Sequence, residues 1–221
     1  MNRGYSILIS GWDTTAASGG NRFMMKAPIA VNLDGSPIVG PAMEEFVIDD
    51  NKTTGGHLTY PAATLDKSKA TLTMRVRYED QPTVIPVDKW DYGNEAGTAI
   101  TLAGDQTPFQ QGTLYEFVYH AKNPVVAGLG FAAIRDLASF VRNSQQDDNS
   151  DANPLNGQAT AIYTACVSQP CRMMHDFLLL GFNADERGRK AIDGIVNWIG
   201  GATGIYMNHR FAQPFRPTAS I

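Results

Sequence analysis

The sequence predicts an α/β protein with a β-rich N-terminal half and an incomplete parallel-sheet core in its C-terminal half. One observation is the clean alternation from Thr71 to Tyr78, where apolar side chains face one way and threonine and arginine the other. The other is the order strand, helix, strand, helix, strand between residues 114 and 199. That order is typical of βαβ units, whose strands run parallel.

Composition and charge exclude several classes of protein. The chain has 221 residues, of which 43% are hydrophobic and 18% charged, as in globular proteins. The net charge is −4 and no lysine or arginine cluster stands out, so we expect no nucleic-acid partner. No apolar run approaches the roughly 20 residues of a membrane span. The start, MNRGYSILISGWD, lacks the pattern of a secretory signal and resembles a strand already under way, so we expect the chain to begin inside a domain.

Short apolar runs between turn residues predict strands in the N-terminal half, and Pro28 indicates that the second run is an edge or a bulge. The predicted strands are Tyr5–Ser10, Phe23–Val31, Glu45–Ile48, Thr71–Tyr78 and a short one near Thr98–Leu102. Most of 79–113 is expected to be loop, because proline, glycine, aspartate and threonine dominate it.

The C-terminal half alternates strands with helical spacing. The predicted elements are a strand at Leu114–His120, a helix from Phe131 to Val141, a polar loop at 143–158, a strand at 160–167, a helix from the Ser168 turn to about Leu180, a short helix at 184–190 and a strand at Ile192–Ile199. Gly181 or Asn183 could cap the second helix. We expect the strand at 160–167 to be central in the sheet, and a change of layer near residue 112.

Ser168 lies in the stretch TACVSQPCR, between a predicted strand and a predicted helix. A serine on such a turn is the nucleophile position of a serine hydrolase. The motif requires small residues, usually glycine, two positions before and two positions after the serine. This chain has Cys166 and Pro170 there. From spacing alone, an ordinary helix-capping serine is the alternative.

Three stretches resemble a poorly characterised family of large α/β-hydrolase domain proteins: YEFVYHAKNPVVAGLGFAAIRDLASFVR at 115–142, CVSQPCRMMHDFLLLGFNADERGRKAIDGIV at 166–196, and NHRFAQP at 208–214. The start, GYSILISGW, is similar as well. The resemblance implies an α/β-hydrolase-like parallel core, a serine hydrolase acting on carboxylic esters, and no cofactor. It also implies that 1–112 is the β-rich part of one hydrolase-like unit and that 113–221 is the α/β core.

In this family the strand-to-helix turn that carries the nucleophile, the elbow, resembles G-x-S-Q-S-G-R. The resemblance implies that Ser168 is the nucleophile and that the Gln169 backbone N–H is an oxyanion donor. Cys166 and Cys171 stand where that pattern has glycine, and Pro170 where it has serine. Proline suits the first helical turn, yet it disfavours helical backbone angles at the preceding residue. That residue is Gln169, and loss of one oxyanion donor costs on the order of 100- to 1,000-fold in rate.

A serine hydrolase of this fold carries its acid and histidine after the serine. Beyond Ser168 the sequence holds one helix, one more strand and a proline-containing tail, so we expect a fragment truncated before both triad partners and inactive by itself. His209 is the one candidate base there besides His175, which is expected to be a surface or packing residue. Asp176 and Asp193 are possible acids, but Asp176 is expected to pair with Arg172.

Two other functions stay open at this stage: a non-catalytic remnant with a binding or structural role, and a β-rich ligand-binding module in the first half. If the chain is active, its partner is a small ester.

The spacing of Cys166 and Cys171 is not a zinc pattern, and we expect reduced, packed thiols. A disulfide is the alternative if the Cα atoms lie roughly 4.4–6.8 Å apart.

The stretch Ile195–Ile199 carries no charge. As the last strand of a truncated sheet it would leave an exposed apolar edge, so self-association is expected.

Overall fold

The computed structural model describes residues 4–16, 19–21, 23–104 and 106–216. Two compact units make up the chain. The β unit comprises Pro28–Val125 and Arg210–Ala212. The α/β unit comprises Val126–His209, together with the described residues before Pro28 and from Gln213 onwards.

The β unit consists of two antiparallel sheets. Its strands are β1 Val39–Ile48, β2 Gly55–His57, β3 Thr71–Arg75, β4 Thr83–Ile85, β5 Trp90–Tyr92, β6 Ala99–Leu102 and β7 Thr113–Lys122. One sheet has the order β1-β7-β3-β4 and the other β2-β6-β5. Short 3-10 turns at Lys67–Lys69 and Val87–Lys89 connect them. The β-rich character expected of this half is confirmed.

Aromatic side chains dominate the core of the β unit. Trp90 and Phe117 are fully buried and meet edge to face, with ring centroids 5.1 Å apart. Phe117 also stacks on Tyr119 at 5.2 Å. Phe211 joins this cluster from the C-terminal segment and meets Tyr60 edge to face. Such rings each bury a large apolar area, so they explain why these short strands form a stable unit.

The alternating strand predicted at Thr71–Tyr78 is present as β3, but it ends at Arg75. Leu72 is fully buried as expected, whereas Val76 and Tyr78 are 62% and 70% exposed. Arg75 donates to Glu116 on the paired strand β7, and it also donates to the Tyr78 carbonyl, which holds the chain in a turn just beyond β3. The strand therefore stops where the Arg75 side chain binds a carbonyl that lies beyond the paired residues.

The strands predicted at Tyr5–Ser10 and Phe23–Val31 are wrong. Neither stretch forms a strand in the described ranges, apart from isolated bridges at Ile29 and Val31. Ile7, Ile9 and Phe23 are each more than 60% exposed. An apolar run becomes a strand only when a neighbouring strand accepts its hydrogen bonds.

The α/β unit contains α1 Leu129–Asn143, β8 Tyr163–Val167, α2 Gln169–Leu179 and β9 Gly194–Trp198. These elements confirm both predicted helices and place the predicted strands within 160–167 and Ile192–Ile199. Gly181 has a φ of 81° just beyond α2, as a helix-ending glycine should. None of the helices in the described ranges is long and apolar enough to cross a membrane.

The expectation of a larger parallel core is not met. The parallel pairing in the described residues is that of β8 with β9, in a two-stranded sheet. The predicted central position of β8 is therefore wrong. The strand predicted at Leu114–His120 is β7, which pairs antiparallel with β1 and β3. Its apolar alternation fixes which face is buried but not the direction of its neighbours.

The short helix predicted at 184–190 is also wrong. Asp185 accepts hydrogen bonds from the backbone N–H groups of Arg187 and Arg189, and its second oxygen accepts from the Ser139 hydroxyl. The Ser139 hydroxyl in particular holds the pKa of Asp185 below its usual value. A side chain that binds nearby N–H groups in this way competes with the helix and favours a compact turn.

Candidate functional site

Ser168 is the junction between β8 and α2, as a nucleophile elbow requires. Its backbone has φ 60° and ψ −123°, in the left-handed region that side chains other than glycine rarely adopt. The residue is exposed, and its N–H donates to the Trp198 carbonyl at the end of β9, at 2.9 Å. This conformation costs on the order of 1–3 kcal/mol and is typical of functional sites.

The N–H group of Gln169 is available to an acceptor. Gln169 is the first residue of α2, and among the described residues its backbone nitrogen donates no hydrogen bond. Pro170 follows it in the first turn, where an N–H would be unpaired anyway. The Cys171 N–H turns back to the Ser168 carbonyl at 2.9 Å. A helix N-terminus with a free N–H is suited to bind developing negative charge.

The two cysteines are joined, so the expectation of reduced thiols is wrong. Cys166 and Cys171 form a disulfide with Cα atoms 5.1 Å apart. This separation falls inside the range that a bridge requires. The bond spans the turn that contains Ser168, Gln169 and Pro170. Both cysteines are buried, at 6% and 0% exposure.

One face of α2 holds residues 204–205 and 214–216 of the same unit in place. The Gln169 side chain donates to the Pro214 carbonyl at 2.9 Å. The guanidinium of Arg172, a buried residue, donates to the carbonyls of Gly204 and Arg216. Because these residues, like Asp176 four positions on, are spaced three or four apart, they share one helix face. The residues that flank the elbow are therefore fixed by main-chain carbonyls.

The predicted pairing of Arg172 with Asp176 is absent from the contacts in the described part of the chain. Asp176 instead accepts a hydrogen bond from the Ile205 N–H at 2.8 Å. His175 lies 3.6 Å from the other Asp176 oxygen and is 57% exposed. Asp176 therefore serves the same segment as Arg172 and is a structural carboxylate here.

Neither candidate histidine reaches the serine hydroxyl. Ser168 Oγ makes no hydrogen bond to any residue that the structure describes, and all four histidines of the chain lie within that part. The ring of His209 lies 5.3 Å from that of Tyr206, between centroids, and the backbone N–H of His209 donates to the Tyr206 carbonyl. His175 is on α2 and points into solvent beside Asp176. The structure therefore brings Ser168 together with Gln169 but not with a base.

Asp193 is committed to other partners. Its carboxylate pairs with Lys190 at 2.8 Å and with Arg142 of α1, and it accepts the Ile162 N–H at 2.8 Å. The Lys190 hydrogen bond, followed by that of the Ile162 N–H, lowers the pKa of Asp193 to about 2. The Asp193 carboxylate therefore has a structural role, because it links the residue before β9 to the residue before β8 and to α1.

Sequence reasoning did not find the anchoring of residues 204–205 and 214–216 by α2. The three-residue and four-residue spacing of Gln169, Arg172 and Asp176 was the available signal, because it places them on one face. Within the described ranges, no group of three or more histidine, cysteine, aspartate or glutamate side chains is arranged to hold a metal ion.

A family model described as an alpha/beta hydrolase domain matches residues 109–219. The matched range contains β8, the Ser168 elbow, α2 and the segment that α2 anchors. Searches of curated proteins and of solved structures found no match.

Proposed function

Because this chain belongs to the α/β-hydrolase domain family, we propose that Ser168 is the nucleophile of a serine hydrolase acting on carboxylic esters. The observation that carries the proposal is the left-handed backbone of Ser168 between β8 and α2, beside the Gln169 N–H, which donates to no acceptor among the described residues. Strain of this kind persists at functional sites, where the surrounding structure holds it. An ordinary helix-capping serine does not need it.

The chemistry assigns a role to each of these groups. The Ser168 oxygen would add to the ester carbonyl carbon while its proton passes to a base. The carbonyl oxygen would then accept the Gln169 N–H as it becomes negatively charged. Collapse of this adduct breaks the bond to the alcohol, which leaves with a proton, and water later releases the acid from the serine.

The same proposal includes the lack of a base within the described residues. A serine hydroxyl is a weak nucleophile without a histidine to take its proton. Residues 1–221 alone should therefore hydrolyse a generic p-nitrophenyl ester no faster than the Ser168→Ala variant does. If unassisted turnover depends on Ser168, a base acts within this chain, and the His209→Ala and His175→Ala variants then identify it.

Chemical rescue tests the nucleophile directly. Imidazole added to the solution should replace the base and accelerate labelling of Ser168 by a fluorophosphonate probe. In that reaction an O–P bond forms, fluoride leaves, and imidazole takes the hydroxyl proton. Ser150→Ala is the matched control, because Ser150 is another exposed serine with positive φ, at 70°, but lies in a loop.

Mass spectrometry should find the label on Ser168 in wild-type protein and in Ser150→Ala, and no label in Ser168→Ala. An imidazole response that is equal in wild-type protein and in Ser168→Ala would overturn the proposal. It would favour the second candidate function, a non-catalytic protein that keeps the fold for binding or structure. The observation that favours this rival is that Ser168 Oγ bonds to no histidine in the described part of the chain.

A further inference from the structure

The Cys166–Cys171 disulfide closes a small ring around the elbow. The two cysteines are five positions apart in sequence, and the residues between them include Ser168 and Gln169. Cys166 belongs to β8 and Cys171 to the first turn of α2. The covalent link therefore joins the strand that enters the elbow to the helix that leaves it.

The left-handed backbone of Ser168 needs such support, because it costs on the order of 1–3 kcal/mol for a residue other than glycine. Two backbone hydrogen bonds of 2.9 Å oppose this cost, one from the Ser168 N–H to Trp198 and one from the Cys171 N–H to Ser168. The bridge limits the conformations that the same residues can reach when these bonds open.

The bridge is packed against the end of β9. The Cys166 sulfur lies 3.6 Å from the Val196 carbonyl oxygen and the Cys171 sulfur 3.7 Å from that of Trp198. These are packing contacts, since an oxidised sulfur has no proton to donate. Beyond β9, a Cβ atom added to Gly200 would meet the Cys171 Cβ at 2.5 Å. Strand, bridge and elbow thus fit closely, with little space for the turn to relax.

We propose that the Cys166–Cys171 bridge is a positioning device that holds Ser168 in its left-handed conformation. The bridge does this by fixing the distance between β8 and the first turn of α2. Both cysteines are buried, at 6% and 0% exposure, so reductant reaches the sulfurs only after local opening. The benefit for catalysis rests on the proposed function, whereas the effect on the backbone does not.

Amide hydrogen exchange in the double variant Cys166→Ser/Cys171→Ser tests the effect on the backbone. Serine keeps a side chain of similar size but cannot form the bridge. The Ser168 and Cys171-position amides should exchange at least about tenfold faster than in wild-type protein. The amides of Asn153 and Ala191, which donate to Gln145 and Asn183 in the same unit, should keep their rates.

An equal acceleration at all four amides would overturn the proposal, because the bridge would then stabilise the whole unit and not the elbow. Unchanged exchange at Ser168 would overturn it as well. Should the variant not fold, wild-type protein incubated with a phosphine reductant until two thiols titrate gives the same comparison.

Imidazole-assisted labelling separates this inference from the proposed function. If both hold, the double variant is labelled at Ser168 at least about tenfold more slowly than wild-type protein. Faster Ser168 exchange together with no labelling of wild-type protein would mean that the positioning stands and the proposed nucleophile does not. Labelling that is undiminished in the double variant would overturn the positioning role while leaving the nucleophile in place.

Discussion

Arg172 on α2 donates from its guanidinium to the main-chain carbonyl of Arg216 at 2.8 Å, across 44 positions of sequence. The same side chain donates to the Gly204 carbonyl, and the residue is only 8% exposed. A buried cation bound to carbonyl oxygens leaves them without partners when it is removed. The elbow helix and the backbone at Gly204 and Arg216 are thus coupled in stability.

We therefore expect Arg172→Met to lower the free energy of unfolding of the α/β unit by about 2–4 kcal/mol. Methionine keeps much of the aliphatic volume, so the loss of stability measures the contribution of the Arg172 hydrogen bonds. Arg187→Met is the control, because the Arg187 side chain is exposed and makes no hydrogen bond or ion pair within the described residues. Urea unfolding measures both variants. A loss no larger than that of the control would show that the carbonyls find other partners.

Replacing Ser168 with glycine should stabilise the protein, because the Ser168 backbone is strained. Ser168→Gly removes the Cβ at φ 60° and should raise the free energy of unfolding by about 1 kcal/mol, after the entropy cost of glycine is subtracted. Ser168→Ala should leave it nearly unchanged, because alanine keeps the Cβ.

Ser144→Gly is the matched control for glycine itself. Ser144 has φ −105°, an ordinary value, so glycine there should cost about 0.5–1 kcal/mol. Thermal unfolding measures all three variants. Equal destabilisation by glycine at both positions would contradict the strain at Ser168.

The sequence predicted the elements around the elbow because their local signals agree. The apolar run before Ser168 is short enough for a strand, and the residues after it recur at helical spacing up to Gly181. The left-handed angle at Ser168 follows from the sharp turn that the two elements require. Here local pattern and tertiary structure demand the same conformation.

Other features depend on distances and partners that a sequence does not contain. The Cys166–Cys171 bridge needs two Cα atoms 5.1 Å apart, and only the folded elbow supplies that separation. The direction of β7 depends on which strands lie beside it. The runs at Tyr5–Ser10 and Phe23–Val31 have the composition of strands, but in the described residues no neighbouring strand pairs with them along their length. Asp185 shows a local conflict, since its side chain captures the N–H groups that a helix would use.

Stability should depend on pH through Asp193. Hydrogen bonds from Lys190 and from the Ile162 N–H lower its pKa to about 2, below the roughly 3.9 of an unfolded aspartate. A lowered pKa means that this stabilisation is fully present above pH 4 and is lost as the pH falls towards 2. Asp193→Asn should thus be less stable than wild-type protein at pH 7 and converge with it near pH 2.

The control for that experiment is Asp148→Asn. Asp148 is exposed and forms no hydrogen bond or ion pair with residues that the structure describes. The Asp148→Asn substitution removes one negative charge from the same protein without removing a contact. Urea unfolding at a series of pH values measures the difference from wild-type protein. A constant difference between pH 7 and pH 2 for Asp193→Asn would contradict the assignment.

The outer edge of β9 leads to a prediction about association. In the described residues β9 pairs with β8 alone, and Val196 and Trp198 are 58% and 64% exposed. An uncharged strand with an open edge is a template for pairing with another strand. We expect a second copy of the chain to pair there, so wild-type protein should shift from monomer to dimer or larger species as its concentration rises.

A lysine at this edge should prevent that association, because pairing would bury or repel its charge. Val196→Lys should therefore remain a monomer at concentrations where wild-type protein associates, as measured by analytical ultracentrifugation. Val118→Lys is the matched control. Val118 is 40% exposed but lies on β7, which is already paired on both sides with β1 and β3. It should associate like wild-type protein. A wild-type protein that stays monomeric throughout, or a control that dissociates equally, would exclude the β9 edge as the contact.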